Sequence, residues 1–216
     1  NFYIFSHAVP KTYLALGTIP TGGAAFLWLA RLLMGDEHLI ETDMVGLQNL
    51  AEKVPPGARG LIFLPYLAGT GTPHMDYQAK GAFIGLTEIH GPGEFVRAVM
   101  EGVAYSLRDS LEFLRDHSFQ MGDFRVAGGA IRGKLWMQIL TDVLRCPLRV
   151  THTVDASPLG AFLLSAVGSG CYKDLVEACE AVVKVANPIL PTRYADHYEK
   201  GYQTFREFYQ ALKKVK

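Results

Sequence analysis

Along the 216 residues, short apolar runs alternate with longer stretches whose apolar positions recur every three or four residues, which predicts strands interleaved with helices. The unit that organises the rest is 125–146. Arg125, Val126 and Ala127 end a run that predicts a buried strand, and Ile131, Leu135, Ile139 and Val143, flanked by Trp136, Leu140 and Leu144, then repeat at helical spacing. Gly128 and Gly129 stand at the junction. Two glycines there permit backbone angles closed to other residues and let a ligand reach the main chain without meeting a Cβ. The N–H groups and positive dipole end of the helix behind them suit a phosphate or the polar edge of a nucleotide. The same dipeptide is also an ordinary tight connection in α/β proteins, so the pattern alone leaves both readings open.

A second Gly-Gly opens TGGAAFLWLARLLMG. Thr21 is placed to cap a helix starting near Gly22 or Gly23, Phe26, Leu29 and Leu33 with Ala25 and Leu32 predict a broad apolar face, and Gly35 closes it. Two such junctions in one domain predict a cleft between them, a reading that competes with simple close packing. Upstream, 2–5 and 13–17 predict a hairpin across Pro10 and Lys11. A helix over 42–54 is stopped by Pro55, Pro56 and Gly57, 60–65 predicts a buried strand, and 81–86 a returning one. Between those strands, 66–80 predicts a long irregular loop, a setting that often carries function. His74 and Asp76 within it lack a third metal ligand, so Asp76 is assigned to stabilising the loop.

The longest helix is predicted over 92–117, with Val96, Val99, Met100, Val103, Leu107, Leu111 and Leu114 on one side. Glu101, Arg108 and Asp109 within it read either as a buried polar network or as the solvated face, and the solvated face is favoured. Further on, 148–151 predicts a strand, and Ser157 with Pro158 predicts the start of a helix in which Gly160 and Ala161 allow close packing. A helix is predicted over 173–186. In the tail, Tyr194, Tyr198, Tyr202, Phe205, Tyr209 and Leu212 predict an amphipathic helix laying aromatics on the body.

Composition narrows the function classes. The chain is 49% hydrophobic and 19% charged, with 21 Lys+Arg against 21 Asp+Glu, so it lacks the basic field that nucleic-acid binding needs. Cys146, Cys171 and Cys179 read as small core hydrophobes in a reducing compartment, which places the protein in the cytoplasm. The longest apolar stretch, 22–35, is broken by Arg31 and too short for a membrane span. The chain starts at Asn1 in what reads as a strand already under way, which predicts a fragment whose N-terminal partner domain lies outside it. No GxGxxG, GxxxxGK[ST], HExxH or GxSxG pattern occurs.

Five segments in order resemble the C-terminal domain of the FGGY carbohydrate kinases, the family of xylulose, gluconate, ribulose and glycerol kinases. HAVP followed by TGGAAFLWL resembles the segment ending in the family's (A/S)G-x-x-x-x-W helix, and LPYLAGTGTPHMDYQAKGAFIGLT resembles LPYLxGERTPxxDPxARGxFxGL. RAVMEGVAYSLRDSLEFL resembles the long-helix signature, AGGAIRGKLWMQILTDVL the adenosine motif GGGxxSxxWxQxxAD, and DASPLGAFLLSAVGSGCY the helix ExxALGAAxxAxxGxGxY.

The resemblance implies a ribonuclease H-like, actin-like ATPase domain of α/β class, a mixed sheet flanked by helices. It makes 1–216 a C-terminal nucleotide-binding domain with ATP and Mg2+ in the cleft between two domains. Gly23 matches the glycine that approaches the phosphates and Leu27 a nearby nucleotide-lining position. Gly128 and Gly129 match the adenosine motif. Gly133 falls where that motif often has Asn or Ser, which leaves a backbone contact or a bridging water for any adenine hydrogen bond. In the loop, Gly71 replaces the Arg of GERTP and Lys80 replaces Arg, while Asp76 is kept. The aspartate base, most sugar contacts and a Gly-Thr phosphate turn belong to family segments preceding Asn1, so the resemblance assigns no catalytic residue and no metal ligand to this chain. The implied function is the ATP-binding half of a kinase acting on a sugar hydroxyl, with a xylulose-like ketopentose favoured. The alternative is a non-catalytic binding or oligomerisation module with a weakened nucleotide site, suggested by Leu27 and Gly133. The implied partner is a sugar bound mainly by the N-terminal domain, with neither nucleic acid nor membrane involved and a homodimer compatible with it.

Overall fold

The computed structural model describes residues 2–38 and 40–214, so Asn1, Leu39, Val215 and Lys216 of the expected domain lie outside it. The chain opens with the expected hairpin, β1 (Tyr3–Ser6) antiparallel to β2 (Tyr13–Leu16), with Tyr3 opposite Leu16 and Ser6 opposite Tyr13. Its apolar side chains are exposed on this chain, Ile4 and Tyr13 most of all. Helix α1 (Gly22–Met34) ends where Gly35 turns left-handed (φ 66°) and its N–H reaches Arg31 O at 2.9 Å. Its buried stripe is Ala25, Phe26, Leu29 and Ala30. Leu32 and Leu33 are exposed instead, because one neighbouring surface covers only one side of the helix. Thr21 does not cap α1. Its hydroxyl donates to the carbonyl of Pro65, so it ties α1 to the next strand.

Helix α2 (Glu41–Glu52) starts with the Asp43 carboxylate accepting the Ile40 N–H at 2.9 Å and stops before Pro55. Strand β3 (Ile62–Leu64) is fully buried and pairs antiparallel with β4 (Ala82–Ile84). In the loop between them Asp76 takes the Gln78 N–H at 3.1 Å and the Tyr209 hydroxyl at 3.3 Å, the stabilising part expected of it.

Helix α3 (Pro92–Asp116) is the axis of the molecule, packed against α1, α2 and β3 and, from later in the chain, α4 (Lys134–Leu144) and α7 (Ala195–Lys213). Cover on several sides overturns the solvated-face assignment: Glu101, Arg108 and Asp109 are all buried. Arg97 Nε donates to Glu101 Oε1 at 2.8 Å, its other nitrogens reach Ala51 O, Val54 O and the Tyr198 hydroxyl, and Gly57 N–H also serves Glu101 at 2.9 Å. Burial pushes the Glu101 carboxyl above its usual range against the pull of Arg97. Burial also works against the charge on Arg97, but Tyr198 and Glu101 more than offset it. The guanidinium therefore keeps its charge, and the carboxylate is the member whose charge the interior disfavours. Two turns on, Asp109 accepts the Tyr202 hydroxyl at 2.6 Å and lies 2.7 Å from His74 Nε2.

Strand β5 (Phe124–Val126) runs parallel to β6 (Leu148–Val150), joined through α4. β5 is half-exposed rather than buried. The outer edge of β6 is taken by the segment after α6 (Leu175–Val182), where Ala186 N–H reaches Val150 O at 2.8 Å and Leu148 and Ile189 exchange backbone bonds. These bonds end α6 well short of 186. Among the described residues the strands form three separate pairs, and the edges of β1 and β5 away from their partners are not joined. Helix α5 (Ala156–Gly168) begins before Ser157, and a Cβ at Gly160 would meet nothing within 4 Å, so no helix packs closely there. Of the three free cysteines only Cys146 is buried. The tail does lay Tyr198, Tyr202, Phe205 and Tyr209 into the core.

Candidate functional site

A cavity of about 1130 Å³ opens between the start of α1, the wall of α2 and the turn after β5. Gly22, Gly23 and Leu27 line it from α1, and Gly129, Ala130 and Arg132 from the turn. The two Gly-Gly junctions, more than a hundred residues apart in sequence, thus face one space. A Cβ at Gly22, Gly23 or Gly129 would meet nothing within 4 Å, so the main chain is open to a ligand at all three.

The local geometry explains why each junction is left open. In α1 the first intrahelical bond runs from Ala25 N–H to Thr21 O at 3.1 Å, and no side chain caps the turn. The amides of Gly22, Gly23 and Ala24, all on the cavity wall, are therefore not taken up by the helix. At the other junction Gly128 adopts φ 94° and ψ −180°, a region essentially restricted to glycine, while its N–H bonds Val154 O at 2.9 Å. Gly129 then begins a 3-10 turn, Gly129–Arg132, and α4 starts only at Lys134. The dipole end expected directly behind Gly129 thus belongs to Gly133 and Lys134, one turn later.

Of the residues singled out in the sequence, Gly23, Leu27 and Gly129 line the cavity, while Gly128 shapes the turn behind it and Gly133 precedes α4. Leu27 presents a 41% exposed apolar side chain. Sequence reasoning missed Met44 and Gln48 of α2, which stand four apart on one helical face and line the cavity together. It also missed that the cavity runs inward to Leu107 and Leu111 of α3 and to Phe124 and Val126 of the open strand β5. The one signal in the sequence was the mixed face of α2.

The lining, among the described residues, carries the guanidinium of Arg132 and no carboxylate. Among the described residues no group of three or more His, Cys, Asp or Glu can hold a metal ion. The side chains of this cavity therefore do not fit an Mg2+ site, and the ion expected from the resemblance is not one they would hold. No described helix is long and apolar enough to cross a membrane.

Residues 2–169 match the family model for the C-terminal domain of the FGGY carbohydrate kinases. The chain belongs to this family. A xylulose kinase of Staphylococcus epidermidis is 34% identical over 216 residues, the whole of this chain and 42% of that protein. A glycerol kinase of Gloeobacter violaceus is 35% identical over 170 residues, 78% of the chain. Among solved structures, a xylulose kinase from Rhodospirillum rubrum superposes with a TM-score of 0.86 at 31% identity, covering 99% of this chain and 43% of that one. The FGGY chain described here thus spans about 42% of the length of the relatives it matches, and it has the fold of their C-terminal part, mixed helices and strands of the actin-like ATPase type.

Proposed function

We propose that residues 1–216 form the nucleotide-binding domain of an ATP-dependent carbohydrate kinase, whose acceptor is a xylulose-like ketopentose. The observation that carries this reading is the convergence of two open glycine junctions on one cavity. Three untaken amides at the positive end of α1 suit the phosphates, and the turn at Gly128 and Gly129 suits the nucleoside. Relatives named xylulose kinase that align with the whole chain support the choice of acceptor.

The reaction is in-line attack of a sugar hydroxyl on the γ-phosphate, with the hydroxyl proton passing to an aspartate base. Among the described residues no acidic side chain lines the cavity. In this reading the chain binds and orients ATP, and the base and the sugar contacts come from the remaining part of the enzyme. That part would close over the exposed apolar surface of the hairpin (Ile4, Phe5, Tyr13) and of α5 (Phe162, Leu164), excluding water from the reaction. Mg2+ would arrive on the ATP phosphates. A cytoplasmic enzyme, with a homodimer compatible, completes the reading. A non-catalytic module has less support, because the cavity stays open at both junctions.

The test is calorimetric titration of this chain and of the whole protein carrying it with Mg-ADP, beside Gly129→Val. Gly129 is the position to change because Gly128 needs its left-handed backbone angle. Saturable binding near millimolar affinity, about 4 kcal/mol, and its loss in the valine variant are expected. Binding that valine leaves intact, or none in the whole protein, would overturn the reading.

A further inference from the structure

We propose that Gln48 reads the base at this site and selects adenine over guanine. The inference rests on the nucleotide reading above and gives it a specificity residue. The α2 wall of the cavity is built from Ile40, Met44, Val45 and Gln48, and Gln48 is its polar member. Among the described residues its amide has no hydrogen-bond partner, and the residue is half-buried. A carboxamide held in an apolar wall without a partner among the described residues is free to pair with a ligand.

Gly133 is what makes room for it. A Cβ at Gly133 would overlap Gln48 Oε1 and stand 2.8 Å from its Cδ and 3.0 Å from its Nε2. Any side chain at 133 and the present position of the Gln48 amide are therefore mutually exclusive. The polar group that the resembling motif often carries at 133 has not simply been lost. A glutamine amide from the neighbouring helix stands against the same position.

The chemistry of the amide sets the ligand class. Its oxygen accepts and its nitrogen donates, side by side. Along its N6/N7 edge adenine offers the complement, an exocyclic amino donor beside a ring-nitrogen acceptor, so two bonds form at once. Guanine presents two acceptors along the corresponding edge, O6 and N7, so one bond forms and the amide oxygen is left facing O6.

The experiment is titration of the whole protein carrying this chain with ADP and with GDP, for wild type, Gln48→Leu, Gly133→Ser, Gln48→Ala and the Gln48→Ala/Gly133→Ser double variant. Wild type is expected to prefer ADP by roughly ten- to a hundredfold, the discrimination typical of a bidentate amide–base pair. Gln48→Leu should lose most of that preference by weakening ADP and sparing GDP. Gly133→Ser should weaken ADP where Gln48 is present, by displacing it, and have no such effect on top of Gln48→Ala. A wild-type preference that survives in Gln48→Leu overturns the inference and leaves the nucleotide reading standing. Failure of wild type to bind either nucleotide overturns both. A purely structural role for Gln48 would lower both affinities together, and that outcome also counts against base reading.

Discussion

Gly102 lies mid-helix in α3, where alanine would ordinarily stabilise by about 1 kcal/mol. Here the sign is reversed by the backbone of β3. A Cβ at 102 would overlap Phe63 O and stand 3.1 Å from Phe63 C and 3.2 Å from its Cβ. Neither a carbonyl nor its strand can swing aside as a side-chain tip does, so α3 and β3 must separate along a core that includes Val99, Val103 and Leu64. Overpacking of a tight core costs about 1–3 kcal/mol, and a contact with a strand carbonyl puts this one at about 3 kcal/mol. Set against the propensity gain, Gly102→Ala should destabilise the chain by about 2 kcal/mol. Gly160 in α5 is the matched control, since an added Cβ there meets nothing within 4 Å and only the helix propensity acts. Gly160→Ala should stabilise by up to about 1 kcal/mol. Urea denaturation followed by circular dichroism reads both, as midpoint shifts of opposite sign at unchanged slope. A Gly102→Ala variant as stable as wild type would refute the close approach of α3 to β3.

Two further predictions concern the polar seam between α3 and α7. Tyr202→Phe removes a 2.6 Å hydrogen bond to the buried Asp109 carboxylate and should cost about 1.5–3 kcal/mol, whereas Tyr209→Phe gives up a 3.3 Å bond to Asp76 and should cost about 1 kcal/mol or less. Thermal melts that reverse that order would count against the network. The Gln203 amide, then Arg108 and Arg145, hold the Glu199 carboxyl below its usual value of 4.5. A lowered carboxyl adds stability that is present above that value and lost as pH falls through the lowered one. The advantage of wild type over Glu199→Gln should therefore be full at neutral pH, begin to shrink as pH drops below about 4.5, and vanish only below the lowered folded-state value; a gap undiminished in strong acid would contradict the assignment.

The elements that announce themselves through local chemistry were readable from the sequence. The hairpin, the strand ending at Gly128, the Gly35 stop and the aromatic spacing of the tail each depend on residues within a few positions of one another. The misreadings share a different cause. Glu101, Arg108 and Asp109 look like a solvated face because each has a partner remote in sequence: Gly57 lies 44 residues from Glu101, Glu199 91 from Arg108, and Tyr202 93 from Asp109. A helix covered on several sides also has no single outer face for polar residues to occupy. Thr21 has the sequence of a cap, but the carbonyl that takes its hydroxyl is 44 residues away. Within the site, Gly23 and Gly129 were legible as glycines before helical segments. Gln48 was not, since its meaning depends on the space that Gly133 leaves beside it.

Helix α7 begins at Ala195, beyond the last residue matched to the family, 169. Yet its tyrosines carry partners for Arg97 and Asp109 and its Phe205 is fully buried. The portion covered by the family model is thus shorter than the portion that folds as a unit, even though a xylulose kinase relative aligns with the chain from end to end. A protein trimmed to the shared pattern would be born with a guanidinium and a carboxylate stripped of their phenols, and with the groove that held four aromatic rings laid open to water. For anyone cutting this family into pieces, the place to cut is set by where the last buried side chain lies, and the boundary of the family model puts the scissors too early.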